Sequence, residues 1–214
     1  MELLTYLQTH FITKETLLRE SQLSHLELAM LIEKRLMPKA AYKLALKLEC
    51  DSFFGEHSDE SCLEFYPQGT LVWLGAVLQV TDEAQAFALF SKRYKNQLHR
   101  LKAQGFNPRD AKLNNNIDAH LESEWQHFLG GIYGLCTKTG LPEDIANKEA
   151  AIVIINEYLA RDEHLSPDEL TNLHQVVDLL DEASALFAPH ERERSSRKRL
   201  IDDVRAKFPK PLTS

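Results

Sequence analysis

The sequence contains little cysteine, glycine or proline. Its three cysteines, Cys50, Cys62 and Cys136, form no CxxC pair, which excludes a disulfide framework. Eight glycines and eight prolines in 214 residues are too few for a collagen-like or low-complexity chain. Because 43% of the residues are hydrophobic, the chain can bury a sizeable core. We therefore expect a folded protein, and the scarcity of cysteine favours the reducing cytoplasm.

Targeting signals and long hydrophobic runs are also missing. The first residues carry no basic segment, and Gln8, Thr9 and His10 interrupt their apolar character, so we predict no secretory signal. The longest apolar run, residues 71–80, contains Gln79 and is far shorter than the roughly 20 residues of a membrane-spanning helix. We predict that this run is a buried core segment and that the protein has no membrane partner.

Positive charge is scarce before the C-terminal segment. Residues 111–189 hold 4 basic and 14 acidic side chains, whereas residues 190–214 hold 8 basic and 4 acidic ones. A basic segment after an acidic body can lie over that body as a solvated helix face, or it can bind an acidic partner. Both interpretations stay open at this point.

Helical periodicity recurs along the chain, and no segment shows sustained alternation bounded by hairpin turns, so the sequence predicts an all-α fold. Thr13 is a predicted helix cap. Ser24 with Glu27 and Ser166 with Glu169 have the form of capping boxes, in which each side chain satisfies a free backbone N–H of a new helix.

The predicted domains meet at a segment rich in turn formers. Pro38 fits the first turn of a helix whose inward positions are Tyr42, Ala45, Leu46 and Leu48. Turn formers are spread through residues 51–69, which predicts a domain boundary there. We expect a small helix-turn-helix-like N-terminal unit over residues 1–50, packed on a larger helical bundle over residues 70–214.

One predicted helix carries a candidate metal or acid/base site. His120, Glu124 and His127 follow i, i+4, i+7 spacing, so the three side chains share one helix face. Glu124 also falls on the apolar seam of this helix, where a carboxylate must be paired, protonated or metal-bound. The alternative is a structural Glu that is hydrogen-bonded to His or Arg.

Three further patterns have mainly structural interpretations. His174, Asp178 and Asp181 repeat the same spacing and could hold a metal, but a place beside the core stripe is the commoner arrangement. Cys136 has no Cys-His-Asp framework and is predicted to be a small buried residue. Residues 130–134 contain three glycines without the phosphate-loop order, which indicates a helix end with close packing.

The basic C-terminal motif is the second candidate site. His190, Arg192, Arg194 and Arg197 lie at a predicted junction of loop and helix, where they could bind an anion or an acidic partner. The same arginines could instead pair with Asp178, Asp181 or Glu182 and hold the last helix on the body, and their replacement would then lower the stability of the protein.

The N-terminal segment resembles the helix-turn-helix of MerR-type regulators. Ser24 at the start of the second helix and the Leu36-Met37-Pro38 stop carry the resemblance, which implies a DNA-binding regulator. Gln22 and Arg35 stand where that family usually has glycine. The corresponding recognition helix, which starts at His25, offers no Arg or Lys near its beginning, although base reading and phosphate neutralisation depend on such donors.

The whole chain also resembles a family of uncharacterised bacterial proteins of about 200 residues, some of them labelled natural-product biosynthesis proteins. Residues 188–201, with residues 180–184 upstream, carry this resemblance. It implies no established reaction and supplies no catalytic residues.

From these observations we predict a cytoplasmic binding or adaptor protein without catalytic activity, whose partner is a protein or an anionic small molecule. A DNA-binding regulator is one alternative. An enzyme or metal-binding protein that acts on an anionic small molecule is the other, and the sequence specifies no cofactor. A deep pocket joining the two candidate sites would favour the enzyme, whereas an exposed apolar patch would favour the adaptor.

Overall fold

The computed structural model describes residues 2–161 and 164–209, and these form eleven α-helices and three β-strands. The helices are α1 (Glu2–His10), α2 (Lys14–Ser21), α3 (His25–Glu33), α4 (Thr70–Val77), α5 (Glu83–Ala103), α6 (Ile117–Leu129), α7 (Ile132–Cys136), α8 (Pro142–Leu159), α9 (Pro167–Ala183), α10 (Pro189–Arg192) and α11 (Asp203–Lys207). The strands are β1 (Phe11–Thr13), β2 (Tyr42–Ser52) and β3 (Gly55–Pro67). A short 3₁₀ helix covers Ala111–Leu113, and a π-helix over Lys198–Asp202 leads into α11.

The all-α prediction is wrong, because the three strands form an antiparallel sheet in the order β1-β3-β2. β2 and β3 are one long hairpin, paired from Tyr42 with Phe65 to Ser52 with Gly55. The predicted helix after Pro38 is therefore mostly β2. The segment predicted as a domain boundary, residues 51–69, contains all of β3.

The strand period is present in β2, where the sequence interpretation overlooked it, but it is absent from the partner strand β3. Tyr42, Leu44 and Leu46 alternate with Lys43 and Ala45, which is the period of a strand with one apolar face. The outer half of β3 is almost entirely polar and shows no such alternation. In addition, the turn is the pair of residues 53–54, not one of the Asn-Gly or Asp-Gly pairs typical of tight hairpins.

The predicted helix caps at Thr13, Ser24 and Ser166 are confirmed. The Thr13 hydroxyl accepts a hydrogen bond from the Thr16 amide at 3.2 Å. At α3 the Ser24 hydroxyl accepts from the Glu27 amide, and the Glu27 carboxylate accepts from the Ser24 amide at 2.7 Å. The capping box at the start of α9 forms in the same way. Each cap satisfies N–H groups that have no partner inside the helix.

The largest core cluster is aromatic. The ring centroid of Phe128 lies 4.8 Å from that of Trp73, 5.1 Å from that of Phe90 and 5.4 Å from that of Trp125. N-terminal residues, such as Leu28 of α3, belong to the same cluster. A second cluster lies between α8, α9 and the C-terminal helices. The division into residues 1–50 and 70–214 stays a prediction.

The apolar run at residues 71–80, predicted to be a buried core segment, is buried on one face only, because Val72 and Leu78 are 58% and 52% exposed. Within α4, Trp73, Leu74 and Val77 are at most 1% exposed, and the Trp73 indole N–H donates to the carbonyl of Leu36 at 2.9 Å. Among the described residues, no helix combines the length and the apolar character that crossing a membrane requires.

Candidate functional site

The α6 trio lies together, as its spacing predicts. The Glu124 side chain is buried, and its Oε1 lies 4.0 Å from His120 Nδ1 and 3.6 Å from His127 Nδ1. Metal ligands lie about 2.0–2.2 Å from the ion they share. In residues 2–161 and 164–209, no group of three or more His, Cys, Asp or Glu side chains could hold a metal ion. Metal binding by the trio stays a prediction.

Tyr133, which the sequence interpretation did not include, is the closest polar partner of this carboxylate. Its hydroxyl on α7 donates a hydrogen bond to Glu124 Oε2. Burial, and next the negative charge of Glu124, raise the pKa of the Tyr133 phenol, so the hydroxyl keeps its proton at neutral pH. Glu124 thus has a hydrogen-bonded environment, although its donor is a tyrosine and not the His or Arg of the structural alternative.

Glycines bring α7 back against α6. Gly131 has φ +83°, and a Cβ there would lie 2.8 Å from the carbonyl oxygens of Lys39 and Ala40. At Gly134 a Cβ would lie 3.0 Å from the ring of Pro67. The predicted helix end with close packing is therefore confirmed, and this turn places Tyr133 beside Glu124.

The basic C-terminal motif is partly engaged inside the chain. Arg197 is 6% exposed, and its guanidinium pairs with the Asp181 carboxylate and donates to the Ala185 carbonyl at 3.0 Å. The Arg205 guanidinium forms ion pairs with two aspartates of α9, with N–O distances of 2.6 Å to Asp181 and 2.7 Å to Asp178. The pairing of Arg197 with an upstream acid is the structural alternative that the sequence left open.

The other three residues of the motif differ in their contacts. The Arg192 guanidinium donates to Asp202 at 3.1 Å, and exposed His190 lies 3.8 Å from Glu191. Exposed Arg194 makes no side-chain hydrogen bond or ion pair with any residue that the structure describes. Anion or partner binding by this set stays a prediction.

A cleft of about 670 Å³ lies between α1 and the C-terminal segment. Tyr6 and Phe11 line one side, and Glu182, Arg197 and Arg205 line the other. Burial, followed by the charge of Glu191, raises the pKa of Tyr6 to about 12. His120, Glu124 and His127 do not belong to the lining, so this cleft does not join the two predicted sites.

Two further side chains that the sequence patterns include, Cys136 and His174, differ in their environments. Burial raises the pKa of the Cys136 thiol, and the nearby Lys148 ammonium only partly offsets this, so little thiolate forms at neutral pH. His174 is 5% exposed, and neither of its ring nitrogens has a hydrogen-bond partner among the described residues.

The most exposed apolar surface lies on the β2–β3 hairpin. Every side chain from residue 47 to residue 62 is exposed, and Phe53 and Phe54 at the turn are 97% and 95% exposed. We call residues 47–62 the arm. At about 3.3 Å per residue, its tip lies roughly 20 Å from the sheet root. The sequence interpretation missed the arm, although two adjacent phenylalanines among turn formers were its visible signal.

The arm is also strongly acidic. Between Leu48 and Ser61 the chain has five Asp or Glu residues and no Lys or Arg. The basic side chains of β2, Lys43 and Lys47, lie at or near the root, and Lys43 is paired with Glu64 at 2.7 Å. The charge of β2 therefore changes from positive to negative along the strand.

The helix-turn-helix-like segment does form two helices, α2 and α3. Gln22 and Arg35, which stand where the MerR-type pattern has glycine, have φ values of 59° and 58° in the left-handed region that favours glycine. The α3 surface exposes Leu26 and Met30 and carries no Lys or Arg. DNA binding by this segment stays a prediction.

Searches of the curated proteins and of the solved structures found no match. A comparison with family models matches residues 86–209 to a family of unknown function, DUF6058. The matched segment contains most of α5 and continues through α11, whereas α1 to α3 and the arm precede it. Since this match covers more than half of the chain, the protein belongs to the DUF6058 family of unknown function.

Proposed function

We propose that this protein is a binding protein without a catalytic step, and that its binding element is the arm. The exposure of Phe53 and Phe54 is the observation that carries the proposal. Full burial of one phenylalanine side chain is worth about 1.5–3 kcal/mol, so two such rings at the tip of an extended ribbon favour contact with another surface. Leu48, which is 55% exposed, adds apolar area along the same ribbon.

The geometry of the arm supports the same conclusion. A two-stranded hairpin that packs on nothing is at most marginally stable in water, so a partner that covers it would stabilise it. Because the outer arm carries five acids and no base, the partner surface should present basic side chains around an apolar contact. The partner we propose is a protein, since aromatic side chains with a charged rim are typical of protein interfaces.

A photo-crosslinking experiment tests this function. A benzophenone amino acid replaces Phe54 in the full chain, and the matched control carries it in place of Val72, which is 58% exposed on α4 and lies outside the arm. On irradiation in the producing cells, we expect a covalent product from position 54 and none from position 72.

Direct binding then completes the test. The captured chain is identified and purified, and its affinity is measured for the wild type and for Phe53→Ser with Phe54→Ser. We expect the double variant to fold normally, because both rings are exposed, and to bind at least tenfold more weakly. Equal products from positions 54 and 72, or unchanged affinity of the double variant, would refute a binding role for the arm.

A further inference from the structure

The outer edge of β2 is open along the whole arm. In the sheet order β1-β3-β2, β2 has β3 on one side and no strand on the other among the described residues. Such an edge presents unpaired backbone N–H and C=O groups and can accept another strand. The edge of β2 is therefore a surface that a partner strand could extend.

The charges of β2 are arranged to complement themselves. Lys43, Lys47, Glu49 and Asp51 all point to one face of the hairpin, because strand side chains alternate. The first two are positive and the last two are negative. When two copies of such a strand run antiparallel, the basic half of each meets the acidic half of the other.

The charges along the outer edge of β3, unlike those of β2, do not complement themselves. On the same face it carries Glu56, Glu60 and Glu64, and no Lys or Arg lies between Gly55 and Pro67. Two β3 edges would place like charges side by side, which destabilises strand pairing. The charge pattern thus selects the β2 edge for pairing between copies.

We propose that the arm binds a second copy of this chain, through antiparallel pairing of the two β2 edges centred on Leu48. This inference rests on the proposed function and names the partner. In this register Lys47 of each copy lies opposite Glu49 of the other, and the exposed Leu48 side chains meet at the two-fold axis. Lys47 already contacts Glu49 of its own chain at 3.0 Å, so the pairing joins two ion pairs into one network.

Neighbouring registers are less favourable. A centre at Lys47 places two lysines opposite each other, and a centre at Glu49 places two glutamates opposite each other. A centre at Leu46 places Lys43 of each copy opposite Glu49 of the other. This register is less favourable because Lys43 already contacts Glu64, which also contacts Lys14. The register centred on Leu48 also brings the Phe53 tip of each copy beside Lys43 of the other, where the basic root of the arm begins.

Charge exchange in the purified full chain tests this register. We expect the wild type to form a dimer in sedimentation equilibrium. Lys47→Glu and Glu49→Lys should each weaken the homodimer at least tenfold, because both inter-copy pairs become repulsive. An equimolar mixture of the two variants should dimerise as well as the wild type, since both pairs are then attractive.

Glu56→Lys is the matched control. It makes the same change of charge on the β3 side of the arm, away from the paired edges, and should alter the dimer affinity less than about threefold. Recovery of dimerisation in the mixture also shows that both single variants are folded. A wild type that stays monomeric, or a mixture that fails to recover, would overturn the pairing of β2 edges.

The crosslinking product separates this inference from the proposed function. A product from position 54 with the mass of two copies supports both. A product with a different protein refutes the second-copy inference but agrees with the binding function. The absence of any product refutes both.

Discussion

The Tyr133 hydroxyl donates a hydrogen bond to the Glu124 carboxylate, although the two residues lie on different helices and Glu124 is only 5% exposed. A buried carboxylate without a donor is costly, so this contact should stabilise the fold.

Tyr133→Phe removes the donor and leaves the ring in place. We expect the free energy of unfolding to fall by about 1–3 kcal/mol in urea titrations. Tyr158→Phe, at a partly exposed ring on α8, is the control and should change it by less than about 0.5 kcal/mol. An equal effect of the two changes would show that the contact adds nothing.

The buried Arg197 should be needed for the attachment of the C-terminal helices. Arg197→Ala removes the hydrogen bonds of Arg197 but leaves the partly exposed Asp181 paired with Arg205, so we expect the free energy of unfolding to fall by about 1–3 kcal/mol. For a chain of this size, each kcal/mol lost from the free energy of unfolding lowers Tm by roughly 2–4 °C. Exposed Arg194→Ala is the matched control and should shift Tm by less than about 2 °C. A stable Arg197→Ala protein would contradict a structural role.

Alkaline pH should destabilise the protein through its tyrosines. Burial raises the pKa of Tyr6, Tyr42, Tyr66, Tyr94 and Tyr133 above the ordinary value near 10, for Tyr6 to about 12. The folded state therefore keeps protons that the unfolded state releases. The contribution of these tyrosines to stability should be constant below about pH 10 and should fall as the pH rises toward the folded pKa values.

Tyrosinate absorbance, followed with and without denaturant, measures this effect. In the native protein these five phenols should ionise well above pH 10, and in denaturant they should ionise near 10. Full ionisation of all tyrosines near pH 10 in the native protein would rule out the burial effect.

Gln22 is a site where glycine should stabilise the protein. Its φ of 59° is unfavourable for a residue with a Cβ, and its side chain is exposed. Gln22→Gly should raise the free energy of unfolding by about 0.5–1 kcal/mol. Arg35→Gly relieves the same backbone strain but removes hydrogen bonds to Glu83 at 2.7 Å and Gln126 at 2.6 Å, so its net gain should be smaller. Thermal unfolding of the two variants side by side checks the order; a larger gain for Arg35→Gly would contradict it.

The sequence predicted features that depend on near neighbours in the chain. The capping boxes at Ser24 and Ser166 join residues three positions apart, so no distant segment is needed to form them. The spacing of His120, Glu124 and His127 likewise follows from the geometry of one helix. The buried residues of α4 followed from its apolar composition, whereas the exposure of Val72 did not.

Only the tertiary structure decided the features that join distant segments. The alternation of Tyr42, Leu44 and Leu46 already favours a strand at β2, but only pairing across the hairpin makes a strand of the polar β3, because backbone hydrogen bonds do not depend on side-chain type. The partner of Glu124 depended on the turn at Gly131, and the partner of Arg197 depended on how the last helices pack on α9. Local contacts are encoded within a few residues, whereas these contacts form only when the whole chain has folded.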